Sequence, residues 1–347
     1  MNNRGSFKSF SDIIGQERAI GFLKQALSRD RIPHAYMFTG ISGIGKTTTA
    51  LALAQALNCL EPVDFEGCGM CRSCRQIMGG NFADLNLLVP DGKNIKIEQI
   101  RELNRNLGYK SVSGQYRVSI IDRAETMTGE AANSFLKNLE EPPPFNILIL
   151  KVVEPLDLLS TIVSRCQRIP FKPLAADQIS DWLKREMKID DDTVALVSRI
   201  SDGSLGKAIS ICKDNYLEER QEMLESLVEL YRITAEKTLE MALEYTDKMK
   251  KSRPALSESH SGLFELFAIW KTWYRDLILL KSDGSVDKLV NVDFSRKLKN
   301  LSKQFKINDL VNSFQVLDKA QRELKRNPNP GLLVENTMLK LKRLSGT

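Results

Sequence analysis

A short glycine-rich stretch has the residue types that bind phosphate. It runs Gly40-Ile41-Ser42-Gly43-Ile44-Gly45-Lys46-Thr47 and fits the pattern G-x-x-x-x-G-K-[ST] at every fixed position. Its glycines let backbone N–H groups close around a phosphate, and the helix that follows adds its positive end. We expect Lys46 to reach the β- and γ-phosphates of ATP or ADP, and Thr47 to hold Mg²⁺. The predicted nucleotide-binding residues here are Gly40, Gly43, Gly45, Lys46 and Thr47.

A carboxylate at the end of an apolar run is the next candidate. Residues 116–122 read as a buried strand that ends in Asp122, the place where P-loop proteins keep the aspartate that faces Mg²⁺. The alternative is a carboxylate that only closes a turn. Hydrolysing enzymes of this type usually carry a glutamate next, whereas here Arg123 follows and the nearest acid is Glu125. We therefore expect hydrolysis at this site to be impaired.

Four of the six cysteines are spaced as metal ligands. Two overlapping C-x-x-C steps and a fourth thiol nearby predict a tetrahedral zinc site formed by Cys59, Cys68, Cys71 and Cys74. The alternatives are a disulfide pair and an iron–sulfur cluster. No histidine or carboxylate stands where it would open the site for catalysis, so we expect a structural metal.

The elements around these residues alternate between strands and helices. Apolar runs at 35–39, 84–89, 116–122 and 147–150 predict strands, and a last strand passes through Ile169 and Phe171. A helix follows the P-loop, and another is capped by Thr128. This order around a P-loop predicts an α/β domain with a doubly wound parallel sheet.

The rest of the chain has only helical patterns. At 347 residues the chain is long enough for two or three domains. We predict a nucleotide-binding domain at 1–172, a small helical domain at 173–213 and an all-α domain at 214–347. In the last, 263–277 carries an aromatic-rich face that is expected to form core, and 248–261 is predicted as a loop.

Composition limits the functional classes. The net charge of +6 is compatible with contact to nucleic acid but does not establish it. There is no signal-peptide pattern and no apolar run near the length of a membrane span. We expect a cytoplasmic protein without a membrane partner.

Together, these motifs resemble the bacterial clamp-loader AAA+ subunits of DNA polymerase III. The resemblance covers nearly the whole chain. Its most specific parts are Asn133–Pro143 and Ser164-Arg165-Cys166, joined by the segment 10–16, the cysteine spacing and the pattern N-x-N-P…L-x-x-E at 327–335. It implies an AAA+ nucleotide-binding domain with a zinc knuckle, then a helical lid and a helical collar for oligomerisation.

Departures from the family pattern favour a non-motor subunit, the stator. Arg123 replaces the catalytic glutamate, Val152 and Val153 lie where motor subunits carry a polar sensor, and Gly206 lies where they place a lid arginine. In the family, the arginine matching Arg165 acts in trans on a neighbour's γ-phosphate. The implied partners are the delta and gamma/tau subunits in a hetero-pentamer, the sliding clamp and primer–template DNA, all within the polymerase III holoenzyme.

Two other functional readings stay open at this point. One is an active ATPase motor of the gamma/tau type, in which Glu125 compensates for Arg123. The other is an unrelated P-loop kinase or a zinc-dependent DNA-binding regulator, which the Ser-Arg-Cys and Asn-Pro-Asn-Pro motifs argue against.

Overall fold

The fold was analysed in a computed structural model, which describes residues 9–251, 262–324 and 329–344, with 248–251 described by backbone alone. Two compact units divide the chain. The first contains residues 1–182 and 202–207, and the second contains 183–201 and 208–347. Residues of the predicted lid, 173–213, thus fall in both units, and the three-part division stays a prediction.

The first unit is built on a five-stranded parallel sheet, as the sequence predicts. The strand order is β2-β3-β4-β1-β5. All strands are parallel, so the P-loop that follows β1 opens at the carboxyl edge of the sheet, where α/β proteins bind their ligands. The strands are β1 (Ala35–Thr39), β2 (Leu85–Leu88), β3 (Arg117–Ile121), β4 (Asn146–Val152) and β5 (Gln167–Pro170).

Helices cover both faces of the sheet, and a separate apolar core fills each face. One core lies under the P-loop helix and includes Phe38, Leu53 and Ile149, while the other includes Ile121, Phe135 and Leu150. The helices before the C-terminal part are α1 (Glu17–Ser28), α2 (Lys46–Asn58), α3 (Arg72–Gly79), α4 (Ile97–Leu107), α5 (Gly129–Glu140), α6 (Ser160–Val163), α7 (Ala176–Glu186), α8 (Asp191–Ile200) and α9 (Leu205–Lys213).

The remaining helices give the C-terminal part its predicted all-α character. Trp270, Trp273 and Tyr274 are almost fully buried, so the predicted aromatic core is confirmed. These helices are α10 (Tyr216–Leu230), α11 (Ala235–Lys251), α12 (Gly262–Lys281), α13 (Ser295–Gln304), α14 (Ile307–Leu324) and α15 (Pro330–Leu344). Short 3₁₀ helices cover Phe10–Asp12, Ala124–Thr126, Pro155–Asp157, Val286–Lys288 and Val292–Phe294.

Two sequence predictions about the ends of elements need correction. The loop predicted at 248–261 begins too early, because α11 continues through Lys251, and its remainder lies outside the described residues. The strand predicted at 147–150 extends to Val152 and therefore contains Lys151.

The predicted cap of α5 is confirmed, since Thr128 accepts a hydrogen bond from the backbone N–H of Ala131 at 3.3 Å. Asn327 and Pro328 of the C-terminal motif lie outside the described residues.

Candidate functional site

The P-loop joins β1 to α2 with a backbone that requires glycine. Gly40, Gly43 and Gly45 have φ values of 135°, 77° and 102°, a region that side chains with a Cβ rarely adopt. No side chain caps the start of α2, which begins at Lys46. The N-terminal N–H groups of this helix are therefore oriented for an anion, as the phosphate-binding pattern predicts.

The Lys46 side chain folds back over the loop. Its Nζ donates hydrogen bonds to the backbone oxygen of Gly40 and, at 2.8 Å, to that of Ile41. The residue is buried, and burial, followed by the nearby charge of Lys151, lowers the pKa of Lys46 to about 8. The charges of Glu125 and Asp122 act in the opposite direction. Lys46 thus sits within a group of four interacting charges.

We call Lys46, Asp122, Glu125 and Lys151 the P-loop charge cluster. Lys151 Nζ lies 2.7 Å from Asp122 Oδ1, with the lysine side chain 8% exposed and the aspartate 34% exposed. Glu125 has no such partner: within the described residues, its buried Oε2 atom accepts no hydrogen bond. Burial raises the pKa of Glu125, and the charge of Asp157 raises it further.

The residues around Asp122 do not fit a hydrated Mg²⁺ ion in the usual way. Asp122 is the carboxylate expected to face the metal, but one of its oxygens accepts a hydrogen bond from the Lys151 ammonium. An ammonium at this distance competes for that oxygen and repels a second cation. The P-loop backbone and Lys46 suit a nucleotide's phosphates, whereas the surroundings of Asp122 do not suit the usual metal arrangement.

A segment from the start of α9 packs directly on the P-loop. Ser204 Oγ donates to the Ser42 carbonyl at 2.8 Å, and the Gly206 N–H donates to the Gly43 carbonyl at 2.8 Å. A Cβ added to Gly206 would lie only 2.8 Å from Gly43 Cα, so the two backbones meet where neither residue has a side chain. All four residues belong to the first unit.

Arg165 lies two residues after the end of α6. Its Nη2 lies 3.0 Å from Glu140 Oε1 and its Nη1 donates to the Thr161 carbonyl at 3.1 Å. Both partners of the ion pair are well exposed, at 38% for the arginine and 51% for the glutamate. Exposed pairs of this kind contribute at most about 1 kcal/mol, so the guanidinium is available to another ligand.

The four predicted metal ligands lie together. The Sγ atoms of Cys59, Cys68, Cys71 and Cys74 are all within 4.8 Å of one another, and the Cys59–Cys71 pair is 3.9 Å apart. In a tetrahedral site with Zn–S bonds of about 2.3 Å, sulfur atoms lie about 3.8 Å apart. Backbone N–H groups point at three of the sulfurs, as in Cys68 N to Cys59 Sγ at 3.2 Å. These four thiols could hold one metal ion.

Sequence reasoning missed Lys151 and Ser204. Lys151 could have been found, because a lone cation inside the apolar run Ile147–Val153 demands a buried partner. Ser204 carries no comparable signal, since its contact with Ser42 joins residues that are 162 positions apart.

The P-loop between β1 and α2 of a parallel sheet defines the fold class, which is an α/β P-loop domain of the AAA+ type. Two family models match the chain. "DNA polymerase III, delta subunit" matches residues 15–175, and "DNA polymerase III, delta subunit, C terminal" matches residues 215–343.

Several known proteins are similar to this chain. The chain is 31% identical to DNA polymerase III subunit delta′ of Bacillus subtilis over 97% of this chain and 98% of that protein. It is 28% identical to subunit tau of Bacillus subtilis over 96% of this chain, which spans 61% of that longer protein. A gamma subunit-related protein of Thermotoga maritima aligns with 94% of the chain at 19% identity and a TM-score of 0.41. The chain belongs to the delta-prime family of DNA polymerase III clamp-loader subunits.

Within the described ranges, none of the helices has both the length and the apolar character that crossing a membrane requires.

Proposed function

We propose that this chain is the non-motor subunit, or stator, of a DNA polymerase III clamp loader. In this role it stands in a hetero-pentamer with delta and gamma/tau subunits and helps to load the sliding clamp onto primer–template DNA. The match to a delta′ subunit along almost the full length of both chains supports the choice over a motor subunit.

One observation at its own P-loop carries the proposal. Asp122 is ion-paired with Lys151, and Arg123 stands where a hydrolysing enzyme would have a carboxylate. A cation cannot accept the proton of an attacking water as a carboxylate can. The site therefore hydrolyses ATP negligibly, and we expect its binding of ATP or ADP to be weak at most.

The subunit's contribution to catalysis comes from Arg165, which acts on a neighbour. An arginine supplied from another subunit neutralises the charge that develops during phosphoryl transfer, which increases the rate by orders of magnitude. Its exposure and its weak local ion pair leave the guanidinium able to reach outward.

A reconstituted complex with wild-type partner subunits tests this role. We expect Arg165→Ala to preserve assembly but to reduce clamp- and DNA-stimulated ATPase activity and clamp loading at least about tenfold, the loss typical of a removed transition-state charge. Arg168→Ala, an exposed arginine three residues away, is the matched control and should leave both activities intact.

Glu140→Gln separates the trans role from a local one. It breaks the pair with Glu140 while keeping Arg165, so a trans-acting arginine retains its activity in this variant. Equal losses in Glu140→Gln and Arg165→Ala would favour a structural pair, and full activity of an assembled Arg165→Ala complex would exclude the trans role.

The half-buried Glu125 favours a second candidate, the ATPase motor. Its carboxylate interacts with the charges of Lys46 and Asp122 and could replace the missing catalytic glutamate. Steady-state ATPase measurements on the isolated chain decide between the two. Robust turnover that is lost in both Lys46→Ala and Glu125→Gln would identify a motor.

The cysteine cluster is proposed as a structural zinc site. Four thiolates complete a tetrahedral shell and leave no open position for catalysis. Metal analysis of protein purified without chelator should give about one zinc per chain, and Cys74→Ser should abolish it while Cys212→Ser does not. Iron with visible absorbance, or no metal at all, would contradict the proposal.

A further inference from the structure

Lys151 is an unusual residue for its position. It lies in β4, which has a strand on each side, and every residue of that strand is buried. Buried lysines are rare because removing an ammonium from water is costly unless it is paired. Lys151 is in register with Phe38 and continues the face of Ile147 and Ile149, which is the face that α2 covers. Its ammonium therefore emerges on the P-loop side of the sheet.

The partner of Lys151 is the residue expected to serve the metal. Asp122 directly follows β3, the strand beside β4, and its Oδ1 lies 2.7 Å from the Lys151 Nζ. The ammonium thus supplies a positive charge to the carboxylate that otherwise faces Mg²⁺. Lys46 is close enough for its charge to interact with that of Lys151, so two cations converge beneath the loop.

We propose that the Lys151 ammonium replaces the divalent cation at this P-loop, so that a nucleoside diphosphate or triphosphate binds without Mg²⁺. The inference rests on the proposed function only in that the P-loop binds nucleotide. Two lysines and the N-terminus of α2 neutralise the phosphates, and Asp122 holds Lys151 in place. The same pairing predicts negligible hydrolysis, because no metal-polarised phosphate is formed.

Equilibrium binding of a fluorescent ADP derivative, mant-ADP, to the full chain tests the proposal. In wild-type protein, we expect dissociation constants in excess Mg²⁺ and in excess EDTA to agree within about threefold, below 1 kcal/mol. A loss of binding of about tenfold or more in EDTA would overturn the proposal.

Lys151→Met removes the charge but keeps an unbranched chain of similar length. We expect its affinity in EDTA to fall about tenfold, and Mg²⁺ to restore much of the loss, so that metal dependence appears. Lys172→Met, an exposed lysine of the same unit, should behave as the wild type. Equal affinities of Lys151→Met and wild type in EDTA would contradict the role of Lys151.

Lys46→Met shows that the probe is bound at the P-loop, since it should lose binding in both buffers. If wild-type protein binds mant-ADP in neither buffer, this inference is wrong, while the stator role can still be tested through assembly and Arg165. If Lys151→Met does not fold, as judged by circular dichroism, the wild-type comparison between the two buffers still decides.

Discussion

Two groups of buried charges in this chain differ in how completely they are satisfied. The P-loop charge cluster, in the first unit, leaves Glu125 Oε2 without a hydrogen bond from the described residues. The second group, the C-terminal charge cluster, consists of Arg220, Asp276, Asn291 and Asp293 in the second unit, and within the described residues its buried Arg220 and Asp276 have no buried side-chain N or O atom without a hydrogen-bond partner.

The bonds of the C-terminal charge cluster are numerous and short. Arg220 donates to Asp293 Oδ2 at 2.7 Å and to Asn291 Oδ1 at 2.5 Å. Asp276 accepts from the backbone N–H of Asn291 at 2.8 Å, from its side-chain amide at 2.8 Å and from the backbone N–H of Val290 at 3.1 Å. A saturated cluster of this kind holds a fold together, whereas a cluster with unmet capacity has room for a ligand.

Breaking the saturated cluster should have the largest effect. Asp276→Ala removes the acceptor of two buried donors of Asn291 and of the part-buried Val290 N–H, and it leaves Arg220 and Asn291 in a disturbed network. We expect the free energy of unfolding to fall by about 3–5 kcal/mol, because several donors lose their acceptor together and each unsatisfied buried donor costs about 1–3 kcal/mol. Urea denaturation measures this loss, with Asp214→Ala, an exposed aspartate, as the control; a loss below about 1 kcal/mol would refute the distinction between the clusters.

The Asp84–Arg117 pair lies in the first unit but is well hydrogen-bonded. It therefore tests whether the loss of stability depends on how completely a buried charge is hydrogen-bonded or on the unit in which it lies. Asp84 lies in the first unit and accepts from Arg117 Nη2 at 3.0 Å and from the N–H groups of Ser113 at 2.6 Å and Gly114 at 3.0 Å. Burial alone would raise the pKa of Asp84, but these donors together with the Val112 N–H lower it. We expect Asp84→Asn to cost about 2–3 kcal/mol at neutral pH.

The same pair predicts the sign of a pH dependence. Because the folded-state pKa of Asp84 is lowered, its stabilisation is complete above the unfolded-state value of about 3.9 and is lost as the pH falls through the folded-state value. As the pH is lowered from 5 through the folded-state pKa of Asp84, the free energy of unfolding should therefore fall more in wild-type protein than in Asp84→Asn, by about 1–3 kcal/mol. Asp181→Asn, at an exposed position, should follow the wild type, and parallel curves for all three proteins would contradict the expectation.

The smallest effect is expected inside the P-loop charge cluster. Glu125→Gln removes a charge that is desolvated and lacks a hydrogen bond to Oε2 among the described residues. We expect the free energy of unfolding to change by no more than about 1 kcal/mol, in either direction. Glu130→Gln, exposed on α5, is the control in the same urea measurement. A loss above about 3 kcal/mol would mean that Glu125 is as structural as Asp276.

Local patterns predicted the elements well because their signals are local. The apolar run 35–39 and the glycine pattern after it specify a strand and a loop without reference to the rest of the chain. Thr128 marks the start of its helix for the same reason. The cysteine spacing likewise predicts the close approach of four thiols, since all of them lie within sixteen residues of one another.

Pairings between distant residues could not be predicted in this way. The predicted strand stopped before Lys151 because a charge interrupts the apolar pattern there. The ion-pair partner of Lys151, Asp122, directly follows the neighbouring strand and is 29 positions away in the sequence. In the sequence, Arg220 and Asp276 have the pattern of exposed charges on amphipathic helices. Their burial depends on contacts with residues 290–293, which lie far away in the sequence. The proposed roles of the nucleotide-site residues and of Arg165 remain predictions that the experiments above address.

The close approach of Gly43 and Gly206 restricts position 206 to a residue without a side chain, as long as the two backbones stay in contact. The family resemblance puts the lid arginine of motor subunits at 206, yet a Cβ there would lie 2.8 Å from Gly43 Cα and 3.2 Å from its carbonyl oxygen. Regaining the arginine and keeping this contact are thus mutually exclusive. An arginine at 206 would therefore require residues 204–206 to move away from the P-loop, so that single substitution would not by itself add a lid arginine to this backbone.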